Sequence, residues 1–291
     1  MARATPGAGV GASRRSAACA AGARGTRCRP VRLPAPPWIF AHRGALPRLE
    51  NTLPALLLAV EEGADLLEFD VQSTADGVLV VHHDFGLGRL AGRPDLAVED
   101  ATLAELAALE LRHPEHPERT GRIPTLAALL AALPAGFPVN IELKVNRCAP
   151  GPLAELALET AGERQNVLFS SFDSALLGEL RRRSATASVA PLAKRWTPGM
   201  ERLGATLGAW SLHVGGGVAR AEAAAATLPA APPLAVYTVN DAARARALLA
   251  QGAAGLFTDR PGGLRAELGT PGDSGVLSST YRGTRAPRRS A

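Results

Sequence analysis

Three cysteines and two lysines in 291 residues leave little room for several kinds of chemistry. Cys19 and Cys28 lie in the first 37 residues and Cys148 follows an apolar run, so no disulfide framework is indicated. Lys144 and Lys194 stand in a chain that otherwise uses arginine for positive charge. A lysine kept at Glu142-Leu143-Lys144 therefore suggests that a compact ammonium is wanted there, while Lys194 reads as a surface residue. Long apolar runs are missing too, and nothing approaches the ~20 residues of a membrane span. Ser13-Arg14-Arg15 resembles a twin-arginine export signal, but the weakly apolar stretch behind it is interrupted by Arg24. A cytoplasmic location is the expectation.

What is present suffices for one sizeable core, with 46% of residues apolar. Residues 1–37 hold seven arginines and no acid amid Ala, Gly, Pro and Ser, and 270–291 hold four arginines against one aspartate. Neither end has apolar periodicity, so both are expected to be disordered, with a single folded domain over 38–269. The formal charge of +5 belongs to those tails, since the body between them is left near −5. Nucleic-acid binding by the folded body is therefore not expected.

Between the tails, short apolar runs alternate with alanine- and leucine-rich helical stretches. Strands are expected at 38–42, 65–71, 78–83, 138–144, 166–171, 187–192, 206–211, 234–239 and 254–258. Helices are expected at 53–62, 102–110, 125–133, 152–163, 174–182, 199–204, 219–227 and 241–251. This alternation predicts an α/β fold, a TIM (β/α)8 barrel with one extra hairpin strand near Val78. The alternative is a doubly wound open sheet, whose glycine-rich first turn is absent from Ala41-His42-Arg43-Gly44. Gly215-Gly216-Gly217 reads as a loop.

The most informative run is Leu66-Leu67-Glu68-Phe69-Asp70-Val71. On a strand, positions i and i+2 face one way, so Glu68 and Asp70 present two carboxylates together. Such a pair is a hard-cation site, an acid/base pair, or the solvent end of a strand. The same spacing recurs in Glu142 and Lys144, while His42-Arg43 and His82-His83 close two further runs. All of these lie at or just past the ends of apolar runs, where a barrel carries its active site.

In order along the chain come His-Arg-Gly at 42–44, Glu-Asn-Thr at 50–52, Glu-x-Asp at 68–70 and Thr-x-Asp-Gly at 74–77. Next are His-Asp at 83–84, Ile-Pro-Thr at 123–125, Glu-x-Lys at 142–144, Ser-Phe at 171–172, Tyr-Thr-Val-Asn at 237–240 and Thr-Asp-Arg-Pro at 258–261. This ordered set resembles the glycerophosphodiester phosphodiesterases. The resemblance implies that Glu68, Asp70 and Glu142 hold one divalent cation. Three carboxylates without a thiol favour Mg2+ or Ca2+ over zinc. It also implies that Arg43 and Lys144 hold phosphate oxygens and that His42 and His83 form the acid/base pair, acting on a small glycerophosphodiester. For Arg43 a salt bridge to Glu50 competes, and Glu50 and Asn51 are expected mainly to tie their loop to the next helix.

Two departures from the family pattern bear on the pocket: Tyr237 where tryptophan is common, and alanine within 252–255 where aspartate is usual. His82 is expected to pack or face solvent, His113 and His116 sit in a Pro- and Glu-rich loop without an evident role, and His213 is read as structural, with lining the pocket as the alternative. The implied reaction releases glycerol 3-phosphate and an alcohol. Two alternatives stand beside it: a lysophospholipase D, which needs an apolar surface at the mouth that the sequence does not display, and a barrel that binds phosphate ligands without turnover.

Overall fold

The computed structural model describes residues 30–215 and 232–269. Eight parallel strands close into a barrel: β1 (Trp38–His42), β2 (Leu66–Ser73), β4 (Val139–Leu143), β5 (Val167–Ser171), β6 (Ser188–Ala193), β7 (Leu212–Gly215), β8 (Leu234–Tyr237) and β9 (Gly255–Thr258). Strand β3 (Leu79–Val81) pairs antiparallel with the end of β2 and forms the expected hairpin. Closure is made by β1, which pairs with β9 on one side and β2 on the other. An open doubly wound sheet is thereby excluded.

Local chemistry explains where the helices begin. Thr125, Asp173, Thr197 and Asp241 each accept a hydrogen bond from the backbone N–H three residues on, capping the helices that start at Leu126, Ser174, Pro198 and Ala242. Leu153, Ala154, Ala157, Leu158 and Ala161 recur at helical spacing in the helix Pro150–Ala161, and this face is buried. They join Phe69, Val71, Ile141, Leu143 and Phe169 in the layer between strands and helices.

One expected strand is displaced. Residues 206–211 divide between the end of the helix Pro198–Leu207 and a turn, and the strand is Leu212–Gly215. Gly208, at φ 56°, supplies the left-handed helix stop, and the strand then registers Leu212 against Leu234. Apolar content alone does not separate a helix end from a strand. The expected helix 219–227 and the loop glycines 216–217 lie outside the described residues, as do Cys19, Cys28 and the arginine pair at 14–15.

At and ahead of the start of β1 the chain touches the barrel at Val31 and Trp38. Val31 is buried and its N–H donates to Ser188 Oγ at 3.0 Å. Trp38 Nε1 donates to Pro34 O at 2.8 Å, and the Trp38 ring stacks on Trp210 at 4.9 Å. Between β3 and β4 the chain makes two small antiparallel pairs, Gly86–Leu87 with Arg93–Ala97 and Leu111–Arg112 with Thr120–Gly121. They enclose a separate apolar cluster that includes Leu87, Leu90, Val98, Leu106 and Leu111. Among the described residues no helix is long and apolar enough to cross a membrane.

Candidate active site

The first site group is set by a backbone turn. At the end of β1, Arg43 takes φ 57°, and its N–H donates both to the Glu68 carbonyl at 2.9 Å and to Glu68 Oε2 at 3.0 Å. Gly44 comes next at φ 101°, where a Cβ would approach within 2.6 Å of Ala55 Cβ. The third residue of His-Arg-Gly is thus fixed by close packing against the helix Leu53–Glu61, and this turn aims His42 and Arg43 into the mouth.

Strand register brings the acids together. Glu68 and Asp70 share one face of β2, and Asp70 lies beside Glu142 on β4. Oxygens of Glu68, Asp70 and Glu142 all lie within 4.8 Å of one another. Asp70 is 1% exposed and fully partnered: Asn51 Nδ2 donates to Oδ2 at 2.9 Å, and Lys144 Nζ donates to Oδ1 at 3.1 Å. Arg43 Nε also lies 3.1 Å from Asp70 Oδ2, a charge contact without hydrogen-bond alignment. Lys144 reaches Glu142 Oε1 at 3.3 Å as well. Glu68 Oε1, by contrast, is buried with no hydrogen-bond partner among the described residues.

The electrostatics derive from these contacts. Burial drives the Glu68 carboxyl well above its usual range, helped by repulsion from Asp70 and Glu142. Glu142 is pushed up to about 7, first by burial and then by Asp70. Burial would raise Asp70 too, but Arg43 and Lys144 outweigh it and hold that carboxyl below its usual range. With all three ionised, the acids would outnumber the two cations by one charge, and Glu68 Oε1 would still want a partner. That donor set, all oxygen and short of positive charge, fits a hard divalent cation.

Each histidine is backed by a carboxylate. His42 Nδ1 lies 2.7 Å from Asp259 Oδ1, and Asn240 Nδ2 donates to the other oxygen of Asp259 at 2.5 Å. His83 Nδ1 lies 2.6 Å from Asp84 Oδ1. An ionised carboxylate only accepts, so Nδ1 carries the proton in both rings and Nε2 is left for the cavity. Asp84 and Glu50 are joined by Arg89, and Glu50 also meets Arg43 Nη1 at 3.2 Å. A relay of ion pairs thus runs from His83 round to Asp70. Burial lowers the His83 imidazole below its ordinary value.

His42, Arg43, Glu68, His83, Glu142 and Lys144 line one cavity of about 110 Å³, closed on its other side by Phe172, Leu192, Tyr237 and Phe257. Asp70 lies in the acid cluster behind it. All seven expected site residues are therefore gathered at one place. Arg43 makes the salt bridge to Glu50 weighed against its phosphate role, and it still faces the cavity. Tyr237 is held by its hydroxyl, which donates to Ala193 O at 2.8 Å. Of the histidines set aside, His82 is buried and His213 is fully buried, with Nε2 2.8 Å from Ser211 Oγ.

Sequence reasoning missed Asp84, Asp259 and Arg89, and it undervalued Asn51, whose side chain donates from Nδ2 to Asp70 Oδ2 and accepts at Oδ1 from the Asp70 backbone N–H. The two aspartates were visible in His83-Asp84 and Thr258-Asp259, without any sign of which histidine each would serve. The mouth is also more apolar than expected. Phe85 is 41% exposed and Phe172 52% exposed, and both line a second groove that shares Glu142, Lys144 and Phe172 with the first cavity.

A parallel barrel whose strand ends gather buried acids, cations and carboxylate-backed histidines is the architecture of a phosphodiester-cleaving enzyme. Residues 42–263 match the model of the glycerophosphoryl diester phosphodiesterase family, and the chain belongs to that family. A glycerophosphodiester phosphodiesterase of Bacillus altitudinis is 32% identical over 234 residues, 77% of this chain and 94% of that protein. Among solved structures, an Oleispira antarctica phosphodiesterase in complex with the product sn-glycerol-3-phosphate superposes with a TM-score of 0.72 at 25% identity, covering 81% of this chain and 98% of that one. The Thermotoga maritima glycerophosphodiester phosphodiesterase gives 0.60 at 29% identity, covering 77% and 95%.

Proposed function

We propose that this phosphodiesterase hydrolyses glycerophosphodiesters to glycerol 3-phosphate and an alcohol. The observation that carries the reading is the pair of carboxylate-backed imidazoles facing one cavity with the acid cluster. In this reading Glu68, Asp70 and Glu142 hold one divalent cation, Mg2+ or Ca2+. When bound, such an ion supplies charge neutralisation at a phosphate oxygen.

The chain's own groups do the rest. Arg43 and Lys144 attract the nonbridging oxygens, and their existing contacts to Asp70 fix both side chains before substrate arrives. One histidine accepts at Nε2 the proton of the attacking oxygen as the new O–P bond forms. The other donates its Nε2 proton to the departing alkoxide as the old O–P bond breaks. Asp84 and Asp259 orient the rings and stabilise whichever imidazole is charged. The wall of Phe172, Leu192, Tyr237 and Phe257 keeps water scarce around these charges, which strengthens each of them.

The test is glycerol 3-phosphate release from a panel of glycerophosphodiesters, with chelator and with each metal restored. Turnover that needs added Mg2+ or Ca2+ and falls by about 10²- to 10⁴-fold in His42→Ala or His83→Ala is expected. Binding of the diesters without any release would instead identify a barrel that holds phosphate ligands and does no chemistry.

A further inference from the structure

The two histidines are anchored differently. Behind His42, the second oxygen of Asp259 is held by the neutral amide of Asn240. Behind His83, the second oxygen of Asp84 is held by a cation, since Arg89 Nε donates to Asp84 Oδ2 at 2.6 Å. The same guanidinium turns its other two nitrogens on Glu50: Nη2 donates to Oε1 at 2.6 Å and Nη1 to Oε2 at 3.1 Å. Glu50 Oε1 in turn accepts from Arg43 Nη1 at 3.2 Å. One planar fork thus grips the carboxylate behind a histidine and the carboxylate behind an arginine of the cavity.

An exposed ion pair ordinarily contributes little, and the Arg89 side chain is 36% exposed. Its setting is not ordinary. The helix that carries it, Gly88–Ala91, buries Leu90 in the apolar cluster between β3 and β4 and stops at Gly92, φ 66°. The base of the side chain is therefore fixed by packing, which lowers the entropy cost of aiming its tip. All three nitrogens are used, on two carboxylates. An ammonium could supply the charge but not this planar set of bonds. Burial would raise both carboxyls, and the hydrogen bond from Arg89 leads the contacts that hold Asp84 and Glu50 below their usual range. Without the fork, two like charges would be free to repel each other and turn away from His83 and Arg43.

We propose that Arg89 is a positioning residue of the reaction: by holding Asp84 and Glu50 at once, it fixes the His83 ring and the Arg43 guanidinium as a single unit. This assignment rests on the hydrolytic reading above. It also gives the segment between β3 and β4 a part in the reaction, because the packing of Leu90 decides where Arg89 stands.

The experiment compares the parent with Arg89→Ala and Arg89→Lys in two readouts, with Mg2+ or Ca2+ present throughout. One is glycerol 3-phosphate release from glycerophosphoglycerol. The other is nitrogen NMR of the imidazole rings, which reports the nitrogen that carries the proton. In Arg89→Ala kcat should fall by about 10²-fold, the cost of displacing a reacting group by about 1 Å. KM should rise by about 3-fold as the hold on Arg43 loosens. Arg89→Lys keeps the charge without the fork and should stay about 10-fold below the parent. The His83 ring should pass from a proton on Nδ1 to a mixture of tautomers in Arg89→Ala, while His42 stays as it is. Guanidinium added below denaturing concentration should restore part of kcat and the His83 tautomer together, which a misfolded chain could not do. A loss of turnover that leaves the His83 ring unchanged, or that guanidinium does not relieve, would overturn the proposal. So would full activity in Arg89→Ala. If the parent releases no glycerol 3-phosphate while its His83 ring still answers to Arg89→Ala and to guanidinium, the positioning assignment stands and the hydrolytic reading falls.

Discussion

Along β1, β2 and β4 the mouth of the barrel carries His42, Arg43, Glu68, Asp70, Glu142 and Lys144, whereas β6, β8 and β9 on the remaining arc present Leu192, Tyr237 and Phe257. The two arcs depend on each other. Charges lining a cavity with one apolar wall are poorly solvated, and this is why burial leads the forces raising Glu68 and Glu142. Conversely, the apolar arc contributes its share of stability, because a closed parallel barrel buries strands on both faces. The contrast teaches that the site's reactivity and its instability have one origin. Within the charged arc itself the burden is uneven: Asp70 is fully partnered while Glu68 is orphaned on one oxygen.

The largest effect expected on the charged arc is kinetic. Glu68→Gln should lower kcat by about 10³-fold or more, as should chelation of the parent protein, both read as glycerol 3-phosphate release. Stability separates the two acids of β2. In metal-free protein Asp70→Asn should cost about 3–5 kcal/mol in denaturant unfolding, because it leaves Arg43 and Lys144 buried without their shared counter-charge. Glu68→Gln should instead raise metal-free stability by about 1 kcal/mol, since it removes a carboxylate that burial and its neighbours disfavour. Equal and negative effects of the two would erase the distinction drawn between them.

A smaller loss is expected one layer back. Asp259→Asn replaces the charged, accept-only group facing His42 Nδ1 with a neutral amide that can also present N–H and so favour the wrong tautomer, and kcat should fall by about 10²-fold with KM little changed. The smallest effect on turnover belongs to the apolar arc, where His213 on β7 is held neutral by burial, its pKa lowered to about 3. An unfolded chain takes up the proton near pH 6.5, so stability is intact above about 6.5 and declines as pH falls toward 3. The slope is about 1.4 kcal/mol per pH unit, or about 2–3 kcal/mol by pH 4.5. His213→Asn should flatten that acid limb without altering turnover at neutral pH; an unchanged limb would show that the ring is not what titrates.

Much of the charged arc was legible because strand ends announce themselves. Glu68 with Asp70 and Glu142 with Lys144 share faces by simple alternation, and the barrel then makes β2 and β4 neighbours. The partners that orient the histidines were not legible in the same way. Asp259 lies 217 positions from His42, and only closure of β9 onto β1 brings them together. The displaced strand at Leu212–Gly215 has a similar cause, because register against Leu234 and the stop at Gly208 decide where it begins. Phe85 and Phe172 were hidden by their type: an apolar ring in a turn reads as core until the turn is seen to open on the mouth.

Far from this chemistry, the stretch through Val31 acts as a stopper for the barrel floor, tied to Ser188 at the start of β6 and to Asn166 just before β5. Trimming the chain at Trp38, where composition alone would draw the line, uncorks the end opposite the catalytic mouth and bares Trp38 and Trp210 together. A shortened protein of that kind should melt earlier and clump more readily on warming, with its chemical groups all still in place. Any expression design should therefore keep residue 30 onward.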